Sequence, residues 1–371
     1  MQNWMEPLAG SIVLLVTLLD VFFTVLYARA GTGLLSPQLA RGVWRLFRSL
    51  SGGRHGGILS YCGPVQLVAL VLMWGMLLAL GSGLLIHPAL GTGVKASSGA
   101  TDTSFVTAMF VGGSSMSIVG ASDYSPATDG YKLLFLFDSL VGMSVTTLTL
   151  TYLMQVYAAL RSRNTLGLKV QAQSGDTGDA AELLARWGPQ GHFDGGYTNL
   201  STLAGEVAAI KETHHFYPVL FYFRFEQSFY AMSRLLLVML DVVALVRTAL
   251  DPRELGWLQD SAAVAELENA SRLLLRTLND NFPTHVERNS NGEPSQEMSQ
   301  ERSRLRYEHA LQRLRAARIP TRADPKAGAR EYADMRARWE PGIEALGAAL
   351  CYPIDEVDPA GFSEGVRRQA V

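Results

Sequence analysis

Three long apolar runs and one short one dominate the first 160 residues. The long runs cover Ala9 to Ala28, Gly63 to Ile86 and about Tyr131 to Leu160. Each supplies the roughly 20 apolar residues that a helix needs to cross a bilayer core of about 30 Å. The pattern therefore predicts three membrane-spanning helices.

The short apolar run, Phe105 to Val111, lies between the second and third predicted spans and is too brief to cross a bilayer. It leads into a turn rich in serine and glycine, from Ser117 to Asp123. Non-helical backbone is tolerated at membrane depth only where it is buried in protein or lines water. The order of half-helix, glycine turn and spanning helix predicts a re-entrant pore loop. An ordinary linker between two spans is the alternative.

The composition changes after the third apolar run. Residues 1–160 contain seven Lys/Arg and six Asp/Glu, whereas residues 161–371 contain 25 and 28. The net charge of −2 indicates no nucleic-acid partner. The two cysteines, Cys62 and Cys351, are too far apart in sequence to suggest a disulfide framework. We expect a first span with a surface helix (1–60), a pore module (61–163) and an all-helical cytoplasmic domain (164–371).

The segment between the first two spans is basic. Residues 29–60 contain five arginines and no acidic residue, and Leu39, Val43 and Leu46 recur at helical spacing. This pattern is typical of an amphipathic helix on the cytoplasmic membrane surface. The positive-inside rule then predicts that residues after Leu160 are also cytoplasmic, with the N-terminus and residues 87–130 outside. We expect an integral protein of the plasma (inner) membrane, with lipid as one partner.

Two acidic residues lie within predicted spans, where a charge must face protein or water. We expect Asp20 to form a hydrogen bond to a neighbouring helix. For Asp138 we favour a role in bracing the short helix of the predicted pore loop, and raising the cation concentration near the glycine turn is the alternative.

Helical periodicity continues after Arg163, following a predicted connection at 164–178. The long apolar run within 217–250 carries charges at several positions, which favours a buried core helix over a fourth span. The sequence shows no metal-ligand spacing and no catalytic arrangement, so we expect that the protein binds no cofactor and is not an enzyme. The predicted helices are Ala180–Trp187, Leu200–Lys211, 217–250, 256–280, 297–318 and 326–350. Asn199 is a possible cap of the helix Leu200–Lys211.

Residues 118–123 are Ile118-Val119-Gly120-Ala121-Ser122-Asp123, with Pro126 three residues after the aspartate and Gly142 nineteen after it. With the order of helices around it, this stretch resembles the pore module of the tetrameric potassium-channel superfamily. That family has a T-V-G-Y-G-D filter, a proline three residues after its aspartate and a glycine hinge in the inner helix. The resemblance covers about residues 61–160.

The resemblance implies a filter whose backbone carbonyls replace the hydration shell of the ion. Ile118 lacks the threonine hydroxyl of the family, which Ser117 supplies only if the register shifts by one. Ala121 replaces the tyrosine, and Ser122 replaces the second glycine. If the backbone of Ser122 must be left-handed, this replacement has a conformational cost of about 1 kcal/mol or more. We therefore expect weakened selectivity for K⁺ over Na⁺.

The resemblance also implies a homotetramer that conducts a monovalent cation, K⁺ or Na⁺, and a gating hinge at Gly142. A non-conducting membrane receptor or scaffold that retains the channel fold is the alternative, and the ligand of the cytoplasmic domain is not identified. Threonine hydroxyls in the third span either face the cavity or bond to their own backbone. The positions that face the cavity in the family, counted from the hinge glycine, correspond here to Met143, Thr146, Thr147, Leu150, Thr151 and Met154.

Overall fold

The structure, a computed structural model, describes residues 4–27, 33–51, 57–117, 120, 123–281 and 296–358. The chain divides into two compact units. The first comprises residues 1–46 and 62–158, and the second comprises residues 47–61 and 159–371.

The first unit is built from apolar helices. Three helical segments of the described chain are long and apolar enough to cross a membrane: Met5–Leu26, Gly57–Ala89 and Asp129–Gln173. This agrees with the three predicted spans, and the protein is a helical membrane protein. The helices that begin in this unit are α1 (Met5–Val21, continued by a π-turn to Leu26), α2 (Ser36–Leu50), α3 (Cys62–Ile86), α4 (Phe105–Met116) and α5 (Asp129–Gln173).

Helix α3 lies between α1 and α4 and packs against both. A Cβ atom on Gly10 of α1 would lie 2.6 Å from the carbonyl oxygen of Gly81, and one on Gly112 of α4 would lie 2.6 Å from the backbone nitrogen of Gly83. Small residues let helix backbones approach closely, which supplies packing energy where the solvent is lipid. Glycines therefore determine both helix crossings.

Asp20 is fully buried and joins α1 to α3. Its Oδ2 atom accepts a hydrogen bond from Trp74 Nε1 at 2.8 Å, while Oδ1 accepts one from the backbone nitrogen of Leu35 at 2.7 Å. The predicted hydrogen bond to a neighbouring helix is confirmed. The contact with Leu35, directly before α2, was not predicted.

Two short strands form an antiparallel pair, β1 (Val94–Ala96) and β2 (Tyr124–Pro126). They flank α4 and the Ser117–Asp123 segment in sequence. Their pairing aligns Val94 with Pro126 and Ala96 with Tyr124. The expectation of an all-helical chain is wrong for these residues because the pair forms between segments about 30 residues apart in sequence, a contact that local periodicity does not reveal.

The regular secondary structure in the described part of the second unit is helical, apart from an isolated bridge between Leu250 and Thr321, and these helices surround one buried helix. All but one of the 18 residues of α8 are buried, which confirms the core-helix prediction for the apolar run after residue 217. The helices are α6 (Ala180–Trp187), α7 (Asp194–Phe216), α8 (Met232–Ala249), α9 (Pro252–Gln259), α10 (Ala262–Asn281), α11 (Gln296–Ala316), α12 (Pro325–Ala337), α13 (Glu340–Ala349) and α14 (Ile354–Val357).

Several predicted boundaries are wrong. The predicted helix 256–280 begins inside α9 and is interrupted at Asp260 and Ser261, before α10. Helix α5 continues to Gln173 through the predicted connection at 164–178, because Leu166 and Val170 are buried and stabilise its last turns. Helix α7 begins at Asp194, so Asn199 is an interior residue and not a cap. The predicted helix 326–350 is two helices, α12 and α13, separated at Arg338 and Trp339.

The residues before α8 are not part of one long helix, contrary to the prediction for 217–250. They form two short 3₁₀ turns, Pro218–Tyr222 and Ser228–Tyr230. The guanidinium of Arg163 donates to the carbonyl oxygens of Leu220 and Phe223, both at 2.8 Å. A distant arginine thus satisfies carbonyls that would otherwise need partners within a helix.

Candidate pore loop

Helix α4 begins at a hydrogen-bonded polar cap. Ser104 precedes the helix and its side chain accepts from the backbone nitrogen of Thr107 at 3.3 Å. Asp102 accepts from the hydroxyls of Thr107 at 2.5 Å and Ser104 at 2.8 Å. These hydrogen bonds lower the pKa of Asp102, so the carboxylate stays ionised at the positive end of the helix dipole.

Helix α4 has 12 residues, a length of about 18 Å, which is too short to cross a bilayer. Its inward face is buried against α3 through Ala108, Val111 and Gly112. Ser115 and Met116 in the last turn are also buried. An apolar half-helix is therefore held among longer spans, as the sequence predicted.

The chain becomes extended directly after α4, with Ser117 at φ −80° and ψ 157°. Gly120 has φ +74°, a left-handed conformation that other L-residues resist, and its nitrogen donates to the Ser117 carbonyl at 3.2 Å. Asp123 is exposed, and its carbonyl oxygen accepts from the nitrogen of Ser97 at 2.9 Å. Ile118, Val119, Ala121 and Ser122 of the predicted filter lie outside the described residues.

The strand pair closes this segment. Next to the aligned pair Val94 and Pro126, the nitrogen of Ala127 donates to the carbonyl oxygen of Gly93 at 2.8 Å. The residues that enter α4 and the residues that leave the Ser117–Asp123 segment thus lie side by side. Tyr124 and Tyr131 pack against the buried cluster formed by Ile86, Val94 and Val111.

Asp138 of α5 is buried against α3 and α4. Its Oδ2 atom accepts from the hydroxyl of Ser82 on α3 at 2.5 Å and from the hydroxyl of Ser115 on α4 at 3.0 Å. One carboxylate thus joins α3, α4 and α5, and the predicted contact between Asp138 and the short helix is confirmed. The sequence did not identify the two serines, since an isolated serine in an apolar helix has many possible roles.

Gly142 lies where α5 meets the end of α4. A Cβ atom at this position would collide with the carbonyl oxygen of Met116, so only glycine fits. Helix α5 is unbroken through Gly142. The close contact gives a reason for the glycine that does not depend on bending, and the hinge role stays a prediction.

The six residues predicted to line a cavity are all exposed in the single chain. The face of α5 that packs inside the unit carries Asp138, Gly142, Val145 and Thr149. Of the six predicted residues, Thr146 and Leu150 border this face. The hydroxyls of Thr146, Thr147 and Thr151 donate to the carbonyl oxygens four residues earlier, at 2.8 to 2.9 Å. A hydroxyl that donates to its own backbone keeps its oxygen lone pairs available outward.

A cavity of about 340 Å³ lies within the first unit between α3, the end of α4 and α5. Its polar lining comes from Ser117, Thr146 and Thr149, and Trp74 and Met116 are among its apolar residues. The cavity therefore reaches from the start of the predicted filter to the middle of α5.

Comparison with known proteins gives one relative and no family. The chain is 23% identical over 221 residues to an uncharacterized membrane protein, YdjJ, of Bacillus subtilis (strain 168). The similarity covers 59% of this chain and 63% of the relative, less than two thirds of its length. No family model and no solved structure matches the chain. The relative and the apolar helices agree that this is a membrane protein.

Proposed function

We propose that this protein is a cation channel whose pore is formed by α3, the α4 loop and α5 of four identical subunits. The observation that carries the proposal is the path of the chain between α3 and α5. A half-length helix enters, the backbone turns through the left-handed Gly120, and the chain returns to the strand from which it started. A loop that enters and leaves on one side is what a re-entrant pore loop requires.

The ion path follows from the same segment. Backbone carbonyls from Ser117 to Asp123 coordinate the partly dehydrated cation, and the exposed carboxylate of Asp123 attracts it. Below the filter, the outward oxygens of Thr146, Thr147 and Thr151 accept hydrogen bonds from the water around the ion. The substitutions at 118, 121 and 122 reduce the discrimination of K⁺ against Na⁺.

In this proposal the protein is in the plasma membrane with its N-terminus outside. The basic segment 29–60 and the second unit are then cytoplasmic, as the distribution of arginines favours. The second unit controls assembly or opening through α5, which is one continuous helix from Asp129 to Gln173.

The test is current recording from the purified protein in planar bilayers, with K⁺ on one side and Na⁺ on the other. We expect cation current with a reversal potential near zero. Gly120→Ala would place a side chain at φ +74° and should strongly reduce the current or change its reversal potential. Gly205→Ala is the matched control, because an added Cβ at this exposed position of α7 meets no atom within 4 Å.

A reversal potential at the K⁺ limit would overturn the weakened selectivity but not the channel. Unchanged current and selectivity in Gly120→Ala would contradict the assigned ion path. The second candidate, a non-conducting receptor with the channel fold, is favoured by the altered filter residues. It predicts no current in either salt from protein that is correctly folded and tetrameric by cross-linking.

A further inference from the structure

Helix α2 separates apolar and basic residues onto opposite faces, yet the folded chain buries none of its 15 residues. Leu39, Val43, Leu46 and Leu50 recur at spacings of three and four residues, which places them on one face. Leu46 is 56% exposed and Leu50 is 62% exposed. Leu39 and Val43 are half-buried, so the protein leaves the second half of this apolar face uncovered, and that half needs another apolar environment.

The opposite face is cationic. Arg41, Arg45 and Arg48 are exposed and lie at helical spacings of four and three residues. Among the described residues, none of the three forms an ion pair, and α2 contains no acidic side chain. Their positive charge is therefore not neutralised within the described part of the chain.

Hydrogen bonds hold α2 beside the ends of two spans. Asp20 accepts from the backbone nitrogen of Ser36 at 3.2 Å and from its hydroxyl at 2.5 Å, so the end of α1 caps the start of α2. Gln66 of α3 donates its Nε2 to the carbonyl oxygen of Ala40 at 2.8 Å. The start of α2 is thus fixed about one to two turns inside the ends of these two helices, which is close to the lipid headgroups if the helices cross the bilayer.

We propose that α2 is an anionic-lipid-binding helix, with its leucine face in the acyl chains and Arg41, Arg45 and Arg48 bound to the headgroup phosphates. Charge complementarity identifies the partner, because arginine binds phosphate well and each basic residue near an anionic surface adds attraction. This assignment does not depend on whether the protein conducts ions.

The test uses full-length protein reconstituted in vesicles of phosphatidylcholine with about 20–30% phosphatidylglycerol, which gives the vesicle surface a negative charge. The half-buried Cys351 is replaced by alanine, and a fluorescent label is attached at Leu50→Cys or, on the polar side of α2, at Gln38→Cys. Lipids with a nitroxide on the acyl chain should quench the label at position 50 and leave the label at position 38 bright. An equally bright label at position 50 would mean that protein covers the leucine face, and would overturn the proposal.

Headgroup preference is tested with the same label at position 50. Nitroxide phosphatidylglycerol should quench it at about tenfold lower mole fraction than nitroxide phosphatidylcholine. The triple variant R41Q/R45Q/R48Q should remove this preference. The control R253Q/R276Q/R338Q, which removes the same charge from three exposed arginines of the second unit, should retain it. Equal preference in the two variants would refute the role of the α2 arginines.

Discussion

The imidazole of His214 lies inside the second unit, fully enclosed by α7 and its neighbours. Burial, reinforced by the positive charge of Arg163, lowers the pKa of His214 from 6.5 to about 3. Its Nδ1 atom lies 3.0 Å from the carbonyl oxygen of Ile210, so the neutral ring donates to the backbone. The sequence showed only a pair of adjacent histidines at 214 and 215, because burial depends on contacts that are not local.

A pKa below its unfolded value makes stability depend on pH. The unfolded chain takes up a proton at His214 below about pH 6.5, while the folded chain does not until about pH 3. Stability is therefore complete above pH 6.5 and falls as the pH decreases, by about 2 kcal/mol at pH 5.

We predict that His214→Gln flattens the dependence of thermal unfolding on pH between 6.5 and 5. The comparison is the slope for each protein in detergent, and not its absolute stability. His309→Gln is the matched control, since that side chain is 59% exposed, and it should keep the wild-type slope. A wild-type slope in His214→Gln would show that another group titrates.

Asp138 is a second residue for which the sequence predicted the kind of environment but not the residues that form it. Its position in an apolar helix was enough to predict a partner within the protein, because a charge in that environment requires one. Its actual partners, Ser82 and Ser115, lie 56 and 23 residues away in sequence. Nothing in the local pattern distinguishes them from serines that bond to their own helix, as Ser114 does with Phe110.

At the scale of elements, the crossing of α3 and α4 depends on backbone contact. A Cβ on Gly112 would lie 2.6 Å from the nitrogen of Gly83 and 2.9 Å from the carbonyl carbon of Ser82. Both atoms belong to the backbone of α3, so a side-chain rotation cannot relieve the overlap. Helix propensity alone would count Gly112 as a weak point of α4, whereas the packing gives this glycine a structural role.

We predict that Gly112→Ala destabilises the first unit by about 2 kcal/mol or more, because the helices must separate or distort. Gly75→Ala in α3 is the matched control, since an added Cβ there meets no atom within 4 Å. The control should be neutral or slightly stabilising, as alanine favours a helix over glycine by up to about 1 kcal/mol. The measurement is thermal unfolding in detergent, and equal midpoints for the two variants would contradict the close crossing.

At the scale of the whole molecule, a buried ion cluster holds the second unit together. Asp241 of the central helix α8 accepts two hydrogen bonds from Arg336 of α12, both at 2.7 Å, and pairs with Arg306 of α11 at 2.9 Å. Arg336 also donates to Glu340 at 2.7 Å and to Asp358 at 3.2 Å. The cluster thus joins α8 to three other helices and to the end of the described chain.

We predict that Asp241→Asn destabilises the second unit by about 2 to 3 kcal/mol, because two buried guanidinium groups lose a shared counter-charge and keep only those of Glu340 and Asp358. Glu331→Gln is the matched control. It breaks an exposed pair with Arg322, which is worth at most about 1 kcal/mol. Chemical denaturation is followed by tryptophan fluorescence in protein whose other five tryptophans are replaced by phenylalanine, so that Trp339, which packs against Arg336, reports on this unit. Similar midpoints for the two variants would show that the cluster does not stabilise it.

The sequence by itself determined the three apolar spans, the short apolar helix between the last two, the basic amphipathic helix and the buried helix of the second unit. Each follows from composition and periodicity within one stretch, since burial in lipid or core acts on local runs of side chains. The filter register and the hinge rest on a resemblance and stay predictions.

Only the tertiary structure decided the strand pair that closes the candidate pore loop, the partners of Asp20 and Asp138, the glycine crossings and the buried cluster around Asp241. These depend on residues up to about a hundred positions apart, such as Asp241 and Arg336. Hydrogen bonds and close backbone contacts need atoms within a few ångströms, and the chain brings them together only by folding.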